Sequence, residues 1–274
     1  MPLLRDEGII RENVVQVVPH VYQITFHAAN VLLIVEEELT LIDTGFRSTV
    51  PRILEVVRSL NREPEDIRLI VLTHCHLDHA GGARALKRLT GARLACHRAD
   101  ISDFGSPLPY PAPMRRTLEL RALANLRSEL GITSSEVEIQ LEGEEVLAPL
   151  GGMRVIHTPG HTPGSICLLA PQHKLLIAGD TLVRQGSAIT AARKSMSTDS
   201  GQAAKSVQAL VREDFDKVCF GHHLPMTVNA KQRLRELVAR IRLRDIREIH
   251  RLTAQKAKTS SRKIDRIQNK EYHN

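Results

Sequence analysis

The chain has 274 residues, 42% of them apolar and 25% charged, with a formal net charge of +7. That suits one sandwich-sized domain, and no run approaches the roughly 18 apolar residues of a membrane span. Residues 1–11 are mixed and charged, without the basic start and apolar core of an export signal, so a cytoplasmic protein without membrane contact is expected. Cys75, Cys96, Cys167 and Cys219 lie far apart, form no Cys-x-x-Cys pair, and read as reduced, buried thiols.

In chain order, short apolar runs predict strands over 14–18, 21–25, 31–35 and 39–42. A helix is expected over 49–60, with Ser48 as its N-cap and Pro51 in the first turn. A buried strand over 69–72, a helix over 83–89 and a strand over 93–96 follow. The pattern breaks over 100–136. Four prolines fall between 104 and 113, and a helical stretch over 114–130 ends at Gly131. Long structured insertions often cover active sites, so this segment is read as a lid. Phe104 and Tyr110 within it are two of only eight aromatic residues and could line an acyl-binding wall.

The second half repeats the theme, with short strands over 137–178, a helix over 202–211 and a strand over 218–220. Strand meanders with helices between them predict an α/β protein of α+β type, a four-layer αββα sandwich. The domain reading is a body over 1–224, a docking helix over 225–252, and a basic, disordered tail over 253–274. Within the helix, Leu234, Leu237, Val238 and Ile241 fall at helical spacing. Beyond residue 224 there are 14 Lys and Arg against 5 Asp and Glu, leaving 24 basic and 26 acidic residues for the body. The basic balance therefore belongs to the tail, where a solvated end is expected more than a grip on nucleic acid.

The chemistry concentrates in His74-Cys75-His76-Leu77-Asp78-His79, three imidazoles and a carboxylate in six residues at the end of a predicted strand. Three more ligand-type residues each follow a short apolar run. They are His161 in Thr158-Pro159-Gly160-His161, Asp180 in Ala178-Gly179-Asp180, and His222 in Phe220-Gly221-His222-His223. Strand ends can aim side chains from distant segments at one point. Neutral imidazole and carboxylate suit zinc first, with manganese, nickel or iron as other occupants. Cys75 alternates with the ligands along an extended segment and is expected to point away. His223 either faces the substrate or caps its loop.

These motifs, with Leu41-Ile42-Asp43-Thr44-Gly45 upstream, resemble the metallo-β-lactamase-fold hydrolase superfamily over roughly residues 14–222. The branch that fits best holds the type-two glyoxalases and the acyl-homoserine lactonases. The resemblance implies that His74, His76 and His161 hold one divalent ion, and that Asp78, His79 and His222 hold a second. Asp180 would bridge the two ions, and Asp43 would support the site without ligation. It further implies a metal-bridging hydroxide as nucleophile, oriented by Asp78, acting on a small ester, thioester or lactone. No Gly-x-Ser-x-Gly elbow offers a competing nucleophile. A nucleic-acid-processing hydrolase and a mononuclear iron persulfide dioxygenase are the alternative readings. The sequence leaves the oligomeric state and the substrate open.

Overall fold

The structure, a computed structural model, describes residues 13–103, 132 and 134–244. Most of the expected lid and the whole of the expected tail therefore lie outside the described residues, with Phe104 and Tyr110 among them.

Seven strands form the first sheet in sequential order: β1 (Val14–Val18), β2 (Val21–Thr25), β3 (Asn30–Val35), β4 (Leu39–Ile42), β5 (Ile67–Val71), β6 (Arg93–His97) and β7 (Ile139–Leu141). The first four make an antiparallel meander, and β5, β6 and β7 add in parallel. Parallel neighbours need a crossover, since a tight turn cannot return the chain to the same end of the sheet. Helix α1 (Val50–Ser59) supplies the crossover from β4 to β5. A single turn, α2 (Leu77–Ala80), followed by α3 (Ala83–Thr90) supplies the next.

The second sheet uses β8 (Val146–Leu147), β9 (Met153–His157), β10 (Ile166–Ala170), β11 (Leu175–Ile177) and β14 (Lys217–Cys219). Its spatial order is β14-β11-β10-β9-β8. Here β8 to β11 run antiparallel, and β14 adds parallel to β11. Helix α4 (Ser200–Ala209) lies in the crossover and starts earlier than the apolar spacing suggests. The Asp199 carboxylate caps it by accepting the N–H groups of Gly201 and Gln202, each at 2.9 Å.

The period of two in each strand divides the core. In β3, Val31 and Leu33 join Ile53, Leu54, Val57 and Leu86 of α1 and α3 in one apolar cluster. Leu32 and Ile34, on the other face, join Val155, Leu168 and Ile177 of the second sheet. Because both faces are covered, Val31–Val35 of β3 reads as a continuous apolar run without polar alternation. The result is the expected sandwich of two mixed sheets with flanking helices.

Two local expectations are corrected. Ser48 does not cap α1. A 3-10 turn, Arg47–Thr49, precedes the helix, and Thr49 takes the cap position without capping it. Its hydroxyl turns back to the carbonyls of Thr44 and Phe46 at 2.9 and 2.7 Å. The reading also missed a hairpin, β12 (Leu182–Gln185) and β13 (Ala188–Ala191), turned through Gly186 at φ +60°. Its strands are too short and too mixed to show a clear period.

Two compact units are distinguished, Met1–Leu234 and Arg235–Asn274. Residues 230–244 are helical, and Leu234, Leu237 and Val238 are buried. No helix among the described residues is long and apolar enough to cross a membrane.

Candidate metal centre

The site lies where strand ends of both sheets meet. After β5 the chain turns through Thr73 to Cys75, and His76 enters the single turn α2, which carries Asp78 and His79 as its buried second and third residues. His161 comes from the loop between β9 and β10, Asp180 follows β11, and His222 follows β14. Side chains separated by up to 148 positions in the chain thus share one small volume. Their ligand atoms fall into three groups, each within 4.8 Å: His74 with His76 and His161, His74 with His79 and Asp180, and Asp78 with His79 and His222. All seven residues singled out in the sequence are therefore brought together. Cys75 is buried among core residues and belongs to none of these groups.

The ring orientations follow from Asp43. This residue sits at φ +60°, a conformation that L side chains seldom adopt, directly after β4. Its carboxylate accepts the Thr73 N–H and the Thr73 hydroxyl, both at 2.8 Å. It also accepts His79 Nδ1–H at 2.8 Å. That bond fixes the His79 tautomer and directs Nε2 into the site. Thr73 passes the constraint on: with its proton given to Asp43, its oxygen accepts His74 Nδ1–H at 3.1 Å, and His74 Nε2 faces the site. One buried carboxylate thereby orients two ligand-type imidazoles. This is the supporting role the motif suggested for Asp43.

The donor set fits a divalent cation. His76 Nδ1 lies 3.0 Å from His74 Nε2 and 2.9 Å from His161 Nε2. Neutral imidazole has one N–H, and that of His74 is already committed to Thr73 on the far side of the ring. Three nitrogens facing one another at such distances are ordinary around a metal ion and awkward without one. Asp78 Oδ1 and Asp180 Oδ1 are buried with no hydrogen-bond partner among the described residues, and a buried carboxylate oxygen is costly to leave that way. The Asp180 carboxylate reaches both sides. Oδ2 is 3.5 Å from His161 Nε2 and 3.2 Å from His222 Nε2, while Oδ1 is 3.5 Å from His79 Nε2.

Titration separates the imidazoles in the metal-free protein. Burial, helped by the neighbouring rings, holds His74 and His76 well below the ordinary histidine value, His76 at about 3. Burial lowers His161 too. Burial works the same way on His79, but the charges of Asp180 and Asp43 outweigh it and lift His79 to about 10. His222 is raised by its hydrogen bond to Asp180, again against burial. Asp180 is buried, which opposes ionisation, yet His79 and His222 hold it well below the usual carboxylate range. One group of imidazoles is thus ready to ligate at neutral pH, and the other must give up protons first.

Several residues that serve the site were not found from the sequence. Asp100 is fully buried and bonds to both the histidine-cluster loop and the His161 loop. Asn30 and Gln23, on β3 and β2, bond to the backbone around His222. Gly221 is required by space. A Cβ there would run into Asp180 Oδ1 and lie 2.7 Å from His79 Cε1. The glycine could have been suspected from its place beside a ligand; the polar residues gave no such sign. Beside His223 opens a cavity of about 820 Å³ lined by Thr25, Val183, Thr190, Arg184 and Arg193. His223 is among the residues at this cavity, and its backbone is left-handed (φ +72°).

The chain is 26% identical over 243 residues to the "Probable metallo-hydrolase YflN" of Bacillus subtilis, covering 81% of this chain and 90% of that one. It is 30% identical over 123 residues to an N-acyl homoserine lactonase of a Bacillus species, covering 45% and 40%. It is 31% identical over 137 residues to a hydroxyacylglutathione hydrolase of Cereibacter sphaeroides, covering 50% and 42%. The chain thus spans less than half the length of the last two. Among solved structures, a metallo-beta-lactamase family protein of Thermus thermophilus superposes with a TM-score of 0.59 at 24% identity, covering 84% of this chain and 81% of that one. The family model of the metallo-beta-lactamase superfamily matches residues 24–222, from β2 to the last ligand-type histidine. With the strand-end histidines, the two aspartates and the sandwich that gathers them, the chain belongs to the metallo-beta-lactamase superfamily.

Proposed function

We propose that the protein is a dinuclear metallohydrolase that cleaves a small ester, thioester or lactone. The observation that carries this reading is Asp180, whose two oxygens reach His161 on one side and His79 and His222 on the other. A single carboxylate so placed suits a bridge between two ions. His74, His76 and His161 would hold the first ion, and Asp78, His79 and His222 the second, with zinc the best match to the donors. When bound, such a pair supplies a water-derived nucleophile at neutral pH and polarises a carbonyl.

The chain's own residues do the rest. Asp43 keeps the His79 and His74 lone pairs aimed inward. Asp78 Oδ1 has no hydrogen-bond partner among the described residues, so it can accept a proton from a water in the site and orient that water toward a carbonyl carbon. Five of the seven side chains are buried and Asp180 and His222 are partly buried, which limits bulk water and strengthens each electrostatic contact. The relatives that act on homoserine lactones and on hydroxyacylglutathione support a small acyl substrate. Four buried cysteines that form no disulfide support a reducing, cytoplasmic setting.

The test joins metal analysis with a substrate screen of thioesters, lactones and phosphodiesters. Two zinc or manganese ions per chain and turnover of an acyl compound are expected. One iron per chain would point to the dioxygenase reading. A trapped acyl-enzyme on any side chain would contradict direct attack by water.

A further inference from the structure

Asp100 stands in the 3-10 segment Arg98–Asp103 after β6 and is fully buried. Its Oδ2 accepts the Cys75 N–H at 2.9 Å and the Thr162 hydroxyl at 2.7 Å, and its Oδ1 accepts the Gly164 N–H at 2.5 Å. Cys75 lies between His74 and His76, and Thr162 follows His161. The three imidazoles of the first group thus come from two loops that are tied to one carboxylate. The tie is close. A Cβ on Gly164 would lie 2.6 Å from Asp100 Cγ, so only glycine fits there. Thr162 N–H also bonds to Ser165 Oγ at 2.9 Å, which closes the His161 loop on itself.

His222 is held by other residues. The Asn30 backbone N–H donates to Gly221 O at 2.7 Å. Its side-chain amide donates to Phe220 O at 2.9 Å and His223 O at 2.6 Å. Gln23 Nε2 donates to His223 O at 3.1 Å. Both side chains are buried and bracket His222 from the residues before and after it. This set shares no residue with the Asp100 set.

We propose that two separate buried polar clamps set the affinities of the two metal positions: Asp100 for His74, His76 and His161, and Asn30 with Gln23 for His222. The proposal rests on the two-ion reading above. Neither Asp100 nor Asn30 would touch an ion. They are positioning residues that act through backbone placement, and loosening one loop should weaken one position and spare the other. Asp100→Asn keeps the size but sets an NH2 group against at least one of the N–H and O–H donors.

The experiment titrates divalent cobalt into the metal-stripped full chain and follows the visible spectrum and the heat of each step. His222→Ala provides the reference spectrum of the first position alone. Asp100→Asn should weaken the first position about tenfold or more, as losing a partner of a metal-ligand support typically does, and leave the second within about threefold. Asn30→Ala should do the reverse. Thr162→Val should follow Asp100→Asn, and Thr162→Ser, which keeps the hydroxyl, should bind as wild type. This series keeps the idea testable if Asp100→Asn does not fold. Equal weakening of both positions by either variant, or wild-type binding by both Asp100→Asn and Thr162→Val, would overturn the proposal. If wild type takes up a single ion, the two-ion reading falls. The Asp100 clamp is then judged on whether Asp100→Asn weakens that ion while Asn30→Ala spares it.

Discussion

Asp180 and Gly221 show how narrow the tolerances are at single residues. Asp180 lies within reach of both imidazole groups, so Asp180→Ala should release one ion and most of the activity while the sheets stay folded. Elemental analysis showing two ions per chain in that variant would end the bridging assignment. Gly221 has no side chain because Asp180 and His79 fill the space a methyl would need. Gly221→Ala should therefore push these two apart and weaken metal binding about 10- to 100-fold, the scale seen when ligand orientation is disturbed. Dialysis against graded chelator would measure this, and unchanged metal retention would show that the backbone yields there.

The elements of the fold divide the labour. β4, β5, β9, β11 and β14 each end at the site, so the sandwich presents ligands from rigid strand ends, where a displacement of a few tenths of an ångström is resisted by a packed core. The β12–β13 hairpin has a different task, since it walls the cavity beside His223. Arg184 is committed there, donating to the carbonyls of Gly186, Leu224 and Pro225 at 2.9, 3.1 and 2.6 Å. Arg193 is exposed at the same cavity, and no carboxylate lines it among the described residues. Arg193→Ala should raise KM about tenfold for acyl substrates that carry a negative group, a charged hydrogen bond being worth that much. The kcat should stay unchanged, and neutral substrates should be indifferent. Steady-state kinetics on a matched acidic and neutral pair would decide, and equal effects on both would remove Arg193 from recognition.

At the level of the whole molecule, pH should act on the metal-stripped protein from both sides. His74, His76 and His161 are held neutral by burial, His76 down to about 3, whereas the unfolded chain protonates them near 6.5. Between these values the unfolded state binds more protons, so stability falls as pH drops below about 6.5. His79 has the opposite sign. Its raised value of about 10 stabilises the fold fully below 6.5, and that contribution is lost as pH climbs through 10. The melting temperature in the presence of chelator should therefore peak near neutral pH and decline on both flanks. A melting temperature still rising at pH 9 would contradict the His79 assignment. The basic tail allows another test. If the substrate is a small acyl compound, deleting residues 253–274 should leave kcat/KM within about threefold. If it is a polynucleotide, the deletion should weaken binding and flatten its salt dependence, because fewer counterions are released.

The sequence by itself determined the class of fold and supplied the candidate ligand set. His74, His76, Asp78, His79, His161, Asp180 and His222 each follow a short apolar run, and both residue type and local period are properties of neighbouring positions. Asp43 was legible only through the resemblance to the family. The hairpin was not, since four-residue strands of mixed polarity carry too little period to separate from a loop. The clamps were beyond sequence reading on different grounds. Asp100 acts on Cys75 and Thr162, 25 and 62 positions away, and Asn30 on Phe220, 190 positions away. A lone aspartate or asparagine looks the same in a chain whether it faces water or ties two loops. Only the packing of the two sheets removed Asp100 and Asn30 from solvent. That burial turned ordinary polar side chains into obligatory hydrogen-bond partners, and so decided which backbone groups hold the histidines in place.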